Sequence, residues 1–187
     1  MSGAELIARI QRLFLTPGAE WDTIDNEGAD VASIYQSYIL PLAGLAALAG
    51  FIGSAIVGVA GFRAGFASAL IQAVVSVGLN CAMVYIVAQI IHALAPQFGA
   101  KPEFGQAFKV AAYFPTAGWV GAMFMVFPAL WFVALIGWLY SLYLLFVGLP
   151  KLMKPAADKA MIYTLAVIGA SIAVGIVVFY VVSVVIL

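Results

Sequence analysis

The chain has 187 residues, 66% of them hydrophobic and 9% charged, with a formal net charge of zero. An ordinary water-soluble domain holds ~45–50% apolar and ~25% charged residues, so that class is excluded, and a balanced charge leaves no basic surface for nucleic acid. The lone cysteine, Cys81, excludes an internal disulfide or a thiolate metal cluster, and among Asn80, Ala82 and Met83 it reads as a small packing residue.

Residues 1–34 differ in kind from the rest. Leu6, Ile7, Ile10, Leu13 and Phe14 recur at helical spacing, with Glu5, Arg9 and Arg12 between them. This pattern predicts a short N-terminal amphipathic cytoplasmic helix. Leu6, Arg9, Ile10, Arg12, Leu13 and Phe14 form a candidate membrane-surface anchor, with apolar side chains in the inner leaflet and arginines on lipid phosphate. Leu13-Phe14-Leu15 is too short for a signal-peptide core and Pro17 ends it, so no cleavable signal is expected. Thr16-Pro17 reads as an N-cap followed by proline at the first helical position, opening a second short helix through Trp21 and Ile24. Glu20, Asp22, Asp25, Glu27 and Asp30 make this stretch acidic, and no Lys or Arg falls between Arg12 and Arg63. Three readings are open: a solvated linker, a docking patch for a basic partner, or counter-charge for the cytoplasmic lysines. Trp21 suits an interfacial position in each.

From Tyr35 onward the chain is almost continuously apolar. A helix needs ~20 apolar residues to cross the ~30 Å hydrocarbon layer, and five segments qualify: 35–60, 66–95, 104–127, 128–149 and 161–187. The expected fold is an all-α membrane protein, a five-transmembrane-helix bundle over residues 35–187. Pro115 interrupts the third segment, and Phe127-Pro128 is the only turn signal before the fourth; four spans with one re-entrant segment is the alternative. With the N-terminus inside, seven of the eight basic residues fall on the cytoplasmic side and only Arg63 outside. The positive-inside rule then puts the N-terminus in and the C-terminus out. Small residues recur every fourth position at Ala46, Gly50, Ser54 and Gly58, at Ala117 and Gly121, and at Ser171 and Gly175. Such stripes let helices approach closely, within the bundle or against another copy. No repeat relates the two halves, so an inverted-repeat transporter is not supported.

Polar groups inside the spans are costly and often functional. His92, Gln106, Lys109, Tyr113, Tyr140 and Tyr143 fall at similar depth near the cytoplasmic side and form a candidate polar pocket open to the cytoplasm, where Lys109 would favour an anionic solute or a lipid phosphate. Plainer readings stand beside it: a snorkelling lysine, an interfacial histidine, belt tyrosines. Ser68, Gln72, Ser76 and Asn80 form a ladder suited to helix–helix hydrogen bonds. No Asp or Glu lies inside a span, and no HExxH, phosphate-binding loop or glycine-flanked serine nucleophile occurs. Neither enzymatic activity nor a metal or other cofactor is expected.

The run Leu139-Tyr140-Ser141-Leu142-Tyr143 through Gly148-Leu149-Pro150-Lys151-Leu152-Met153 resembles the Y-x-x-Y-x-x-x-x-G-L-P-x-L-M signature of bacterial Yip1-domain membrane proteins. Leu13 to Ile24, with Thr16-Pro17 and Trp21-Asp22, resembles the opening of that family. Ala93-Leu94-Ala95-Pro96-Gln97-Phe98-Gly99-Ala100, then Phe104-Gly105-Gln106-Ala107-Phe108-Lys109 and Ala112-Tyr113, resembles its central loop. The resemblance implies five transmembrane helices behind a cytoplasmic N-terminal segment. Eukaryotic members of the family are adaptors of the early secretory pathway that associate with Rab-type GTPases through a long cytoplasmic domain this sequence does not contain; for bacterial members it implies fold and location only. On this motif Gly148 is expected to cap the fourth helix and Pro150 to stop it. The function expected is that of a membrane adaptor or organiser, acting through lipid contacts and contacts with other membrane proteins or itself. A small-solute or ion pathway through the polar pocket is the alternative.

Overall fold

A computed structural model describes residues 1–58 and 62–186. Helix dominates because apolar surroundings offer a backbone no other hydrogen-bond partners than its own. The first helix, α1 (Gly3–Leu15), opens on a capping box: the Ser2 side chain accepts from the Glu5 N–H while the Glu5 carboxylate accepts from the Ser2 N–H. The second, α2 (Pro17–Asn26), starts directly after Thr16, and proline at its first position costs no hydrogen bond there. Asp30 then caps α3 (Val31–Ile34), its Oδ1 accepting from the N–H groups of Ala32 and Ser33 at 3.1 and 3.4 Å.

That cap starts a helix continuous from Val31 to Val57. Wide π turns at Tyr35–Ile39 and Ile52–Val57 flank its α-helical centre, α4 (Leu40–Phe51). The first π turn directly precedes Pro41, which has no N–H and whose ring crowds the turn before it. The expected division at 34/35 therefore falls inside one helix. Next come α5 (Phe66–Leu94), α6 (Phe104–Tyr113), α7 (Thr116–Ala122), α8 (Trp131–Met153) and α9 (Ala160–Ile186), with 3-10 turns at Ala95–Phe98, Met123–Val126 and Pro128–Leu130.

Among the described residues, four helical segments are long and apolar enough to cross a membrane: Val31–Val57, Phe66–Phe98, Pro128–Met153 and Ala160–Val184. The expected third span differs. It breaks at Phe114-Pro115 into α6 and α7, because Pro115 cannot donate to the helix before it and serves as the cap of the next. This broken segment is also the most enclosed part of the chain, with Ala107 to Tyr113 all buried. It runs from the end of the molecule where the N-terminal helices sit to the opposite end, where Met125 lies against Gly53. The expected ends of the first and fifth spans, Ala60 and Leu187, lie outside the described residues.

Expectation also fails at the end of α8. The helix continues through Gly148 and Pro150 to Met153 and ends on Lys154, which adopts the left-handed conformation at φ 49°. Pro150 lies inside α8 and removes the backbone bond to Phe146, yet the helix runs on to Met153.

Side chains pack most tightly at the N-terminal end, where Leu13, Trp21, Ile24, Tyr38, Ile91, Phe108 and Leu149 have no exposed surface. The far end is held by backbone approach: the Gly137 Cα lies against Ala117 and Gly121 of α7. Two larger clefts lie between the helices, the first at this end and the second at mid-depth. One of ≈ 350 Å³ lies between α4, α5 and α7. The other, ≈ 510 Å³ and mostly apolar, lies between α5, the broken segment, α8 and α9. They meet at Asn80 and Trp119, whose indole Nε1 donates to Asn80 Oδ1 at 2.8 Å. The expected polar ladder is thus mostly inward-turned: Ser68 and Ser76 donate to carbonyls of their own helix, Gly65 and Ala73, while Asn80 reaches across.

The docked head as candidate functional site

The N-terminal helices form a hairpin seated against the bundle, and α2 lies parallel to α8. The Tyr140 hydroxyl donates to the Phe14 carbonyl at 2.8 Å across a sequence separation of 126, and Lys151 Nζ donates to Asp22 Oδ1 at 2.5 Å across 129. Between these, Trp21 sits on Gly148. Beyond them, Lys154 Nζ pairs with Asp25 at 2.8 Å. A nearly constant separation is the mark of two helices advancing side by side.

Glycine at 148 is required by this contact. A Cβ there would collide with the Trp21 indole, which is fully buried. The residue expected to end the helix instead makes the notch that admits the largest side chain of the head. Further down, the Phe14 and Tyr140 rings stack at 5.3 Å and 11°, and Trp21 meets Tyr113 edge-on at 6.5 Å.

Lys109 faces the same hairpin. It is 1% exposed. Its Nζ donates to three backbone carbonyls at the end of α2: Ile24 at 2.7 Å, Asp25 at 3.1 Å and Glu27 at 2.8 Å. They lie at the end of α2 where its dipole is negative; Ile24 also accepts the Glu27 N–H at 3.2 Å, so the ammonium adds a second bond there and supplies one to Asp25 and Glu27. Gln106 Nε2 adds a bond to the Asp25 carbonyl at 3.3 Å. The snorkelling alternative for Lys109 is replaced by a buried ammonium with its three donors used.

The charges of the hairpin close on themselves. Arg9 makes a two-pronged bond to Glu27, one prong at 2.7 Å, and its Nε lies 3.4 Å from Glu20 in an ionic contact. Arg12 Nε and Nη2 donate to Glu20 at 2.5 and 3.1 Å. The Arg9 guanidinium also lies 5.2 Å from the centre of the Tyr113 ring. The Lys154 pKa is raised above its ordinary value, first by its hydrogen bond to Asp25.

The anchor residues accordingly point elsewhere than a lipid surface: Leu13 is fully buried, Leu6, Ile10 and Phe14 pack on the core, and Arg9 is held by Glu27. All five acidic residues have partners within the chain, Glu20, Asp22, Asp25 and Glu27 in ion pairs and Asp30 as a cap. Of the six candidate pocket residues, Gln106, Lys109, Tyr113 and Tyr140 converge, but on the head; a smaller cleft of ≈ 170 Å³ remains beside Arg9, Glu27 and Tyr113. His92 stands apart against Phe104 at 5.9 Å. Tyr143 is 48% exposed and touches the group only through the Tyr140 ring at 5.3 Å. Two contributors escaped the sequence reading. The capping box was legible as Ser-x-x-Glu at residues 2–5; the Trp21–Gly148 fit carries no local signal, since neither residue announces the other.

The residues of this contact are the residues of the sequence motifs, now seen as two halves of one interface. Comparison with known proteins agrees. The chain is similar over 180 residues to the inner membrane protein YohC of Escherichia coli K12 and to its counterpart in strain O6:H1, at 22% identity, covering 92% of this chain and 90% of each relative. No solved structure matches. The Yip1 domain pattern matches residues 12–180, from the last turn of α1 nearly to the end of α9 and so across both sides of the docked head, and on that match the chain belongs to the Yip1 family.

Proposed function

We propose that the protein is a non-enzymatic adaptor or organiser of the inner membrane. In this reading it crosses the bilayer five times, the broken α6–α7 segment being the third crossing, with the head end cytoplasmic and the C-terminus outside. The length and end-to-end path of α6–α7 support the fifth crossing. The basic residues of the head, of the turns at Lys101 and at Lys151 to Lys159, and Lys109 all belong to one end, which supports the orientation. The E. coli relatives are named as inner membrane proteins.

One observation carries the functional choice: Lys109 spends its donors on the carbonyls of α2. Four of the six polar groups that would serve a passenger, Gln106, Lys109, Tyr113 and Tyr140, are engaged by the protein's own head. Surface for partners lies elsewhere. Only 6% of the apolar stretch of α9 is buried, against 22–33% for the other three long helices. That leaves most of its circumference for lipid, another membrane protein or a second copy. A basic partner for Asp22 or Asp25 would have to replace Lys151 or Lys154.

The test has two arms. A photo-crosslinker at Ile176, which is 64% exposed on α9, should trap a discrete partner or a second copy in native membranes. Reconstituted vesicles should stay tight to ions and small solutes. Solute flux that Lys109→Met abolishes would overturn this reading in favour of the pathway alternative.

A further inference from the structure

The register between the head and α8 fixes how deep the head reaches. Lys151 and Lys154 mark the end of α8 where charge begins. Tyr140, which holds the Phe14 carbonyl, lies about 16 Å further along the helix axis at ~1.5 Å per residue. Half of a ~30 Å hydrocarbon layer is about 15 Å. The turn of the hairpin at Leu15-Thr16-Pro17 therefore stands near the middle of the α8 span, with both helices returning toward the lysine-bearing end. Contacts of α6 agree: Lys109 meets the outer end of α2, while Tyr113, one turn deeper, meets Trp21 and Arg9.

We propose that α1–α2 is a re-entrant hairpin embedded in one leaflet, its outward face lying against lipid acyl chains. The outward face is apolar at its tip. At the turn, Leu15 is 80% exposed, and Ile7 on the same side of α1 is 58% exposed; between them Gln11 and Arg12 are also exposed, the Arg12 guanidinium being paired with Glu20. Toward the lysine-bearing end the exposed residues of α2 become Asp22, Thr23 and Asn26. On α8 the neighbouring surface at the depth of the turn is Leu139, Leu142 and Tyr143, also exposed and part of a membrane-length apolar helix. Charge obeys the same demand. Arg9 and Arg12 are matched by Glu20 and Glu27 in direct contact, so these four side chains, of which Arg12 is 47% exposed, carry no net charge into a medium where an unpaired ion is costly. A head lying in the headgroup plane needs none of this pairing, since water and lipid phosphate would serve the arginines.

The experiment uses the full chain with Cys81→Ala, reconstituted in vesicles of phosphatidylethanolamine and phosphatidylglycerol. Single cysteines replace Leu15, Ile7 or Asn26, and each carries a nitroxide. The ratio of oxygen to water-soluble nickel-chelate accessibility should be several-fold higher at Leu15→Cys than at Asn26→Cys, with Ile7→Cys between them. The unlabelled Leu15→Cys thiol should resist a membrane-impermeant maleimide that modifies Asn26→Cys. Equal ratios, or equal thiol reactivity, would overturn the wedge. Should Leu15→Cys not fold, Ile7→Cys against Asn26→Cys decides by the same ratio. None of these readouts depends on whether the protein has a partner or conducts a solute.

Discussion

The two ends of this bundle are stabilised by different physics. At the head end, side chains are large, polar and interlocked: an ammonium on three carbonyls, two arginines on two glutamates, an indole in a glycine notch. At the far end, packing rests on bare backbone approach between α7 and α8, beside a cleft of ≈ 350 Å³. The contrast follows from solvent. Where helices meet lipid alone there is no hydrophobic drive to bring them together, and close backbone contact is the main source of attraction. Where helix ends expose free carbonyls, a buried donor stabilises far more, because each acceptor left unpaired costs its full desolvation.

That contrast predicts an order of effects. Lys109→Met should cost most, about 3 kcal/mol, since charge-assisted bonds are worth ~1.5–3 kcal/mol each and the Glu27 carbonyl would lose its donor, while Ile24 keeps the Glu27 N–H and Asp25 keeps Gln106. The thermal midpoint of the purified protein should fall, and protease should reach residues 16–30. Gly148→Leu comes next, about 2–3 kcal/mol by overpacking against the Trp21 ring, with the same protease signature. A native protease pattern in Gly148→Leu would mean the head is not seated there. Trp119→Phe at the far end removes one interhelical bond and should cost only ~0.6 kcal/mol, read by denaturant titration in mixed micelles. Ala46→Leu, pointing into that far-end cleft, should fall within about 0.5 kcal/mol of wild type, as substitutions outside tight packing do. If Ala46→Leu proves as damaging as Gly148→Leu, the two ends do not differ as described.

Membrane class, helical content and the long apolar segments were legible in the sequence, because length and composition are properties of each segment alone. The Pro115 interruption was legible as local chemistry too, whereas the first span was expected from Tyr35 and begins at the Asp30 cap. Family membership could be read from short motifs whose order and spacing are one-dimensional. Tertiary structure alone decided what those motifs do. Amphipathic spacing in α1 identified an apolar face, yet lipid and a neighbouring helix satisfy such a face equally, and only the fold chose the helix. The same holds for Lys109, whose partners lie 82–85 residues away, and for Gly148, which is a helix stop by local rules and a notch once Trp21 arrives. Periodicity reports that a surface must be covered; the identity of the cover is a relation between distant segments, and no single segment carries it.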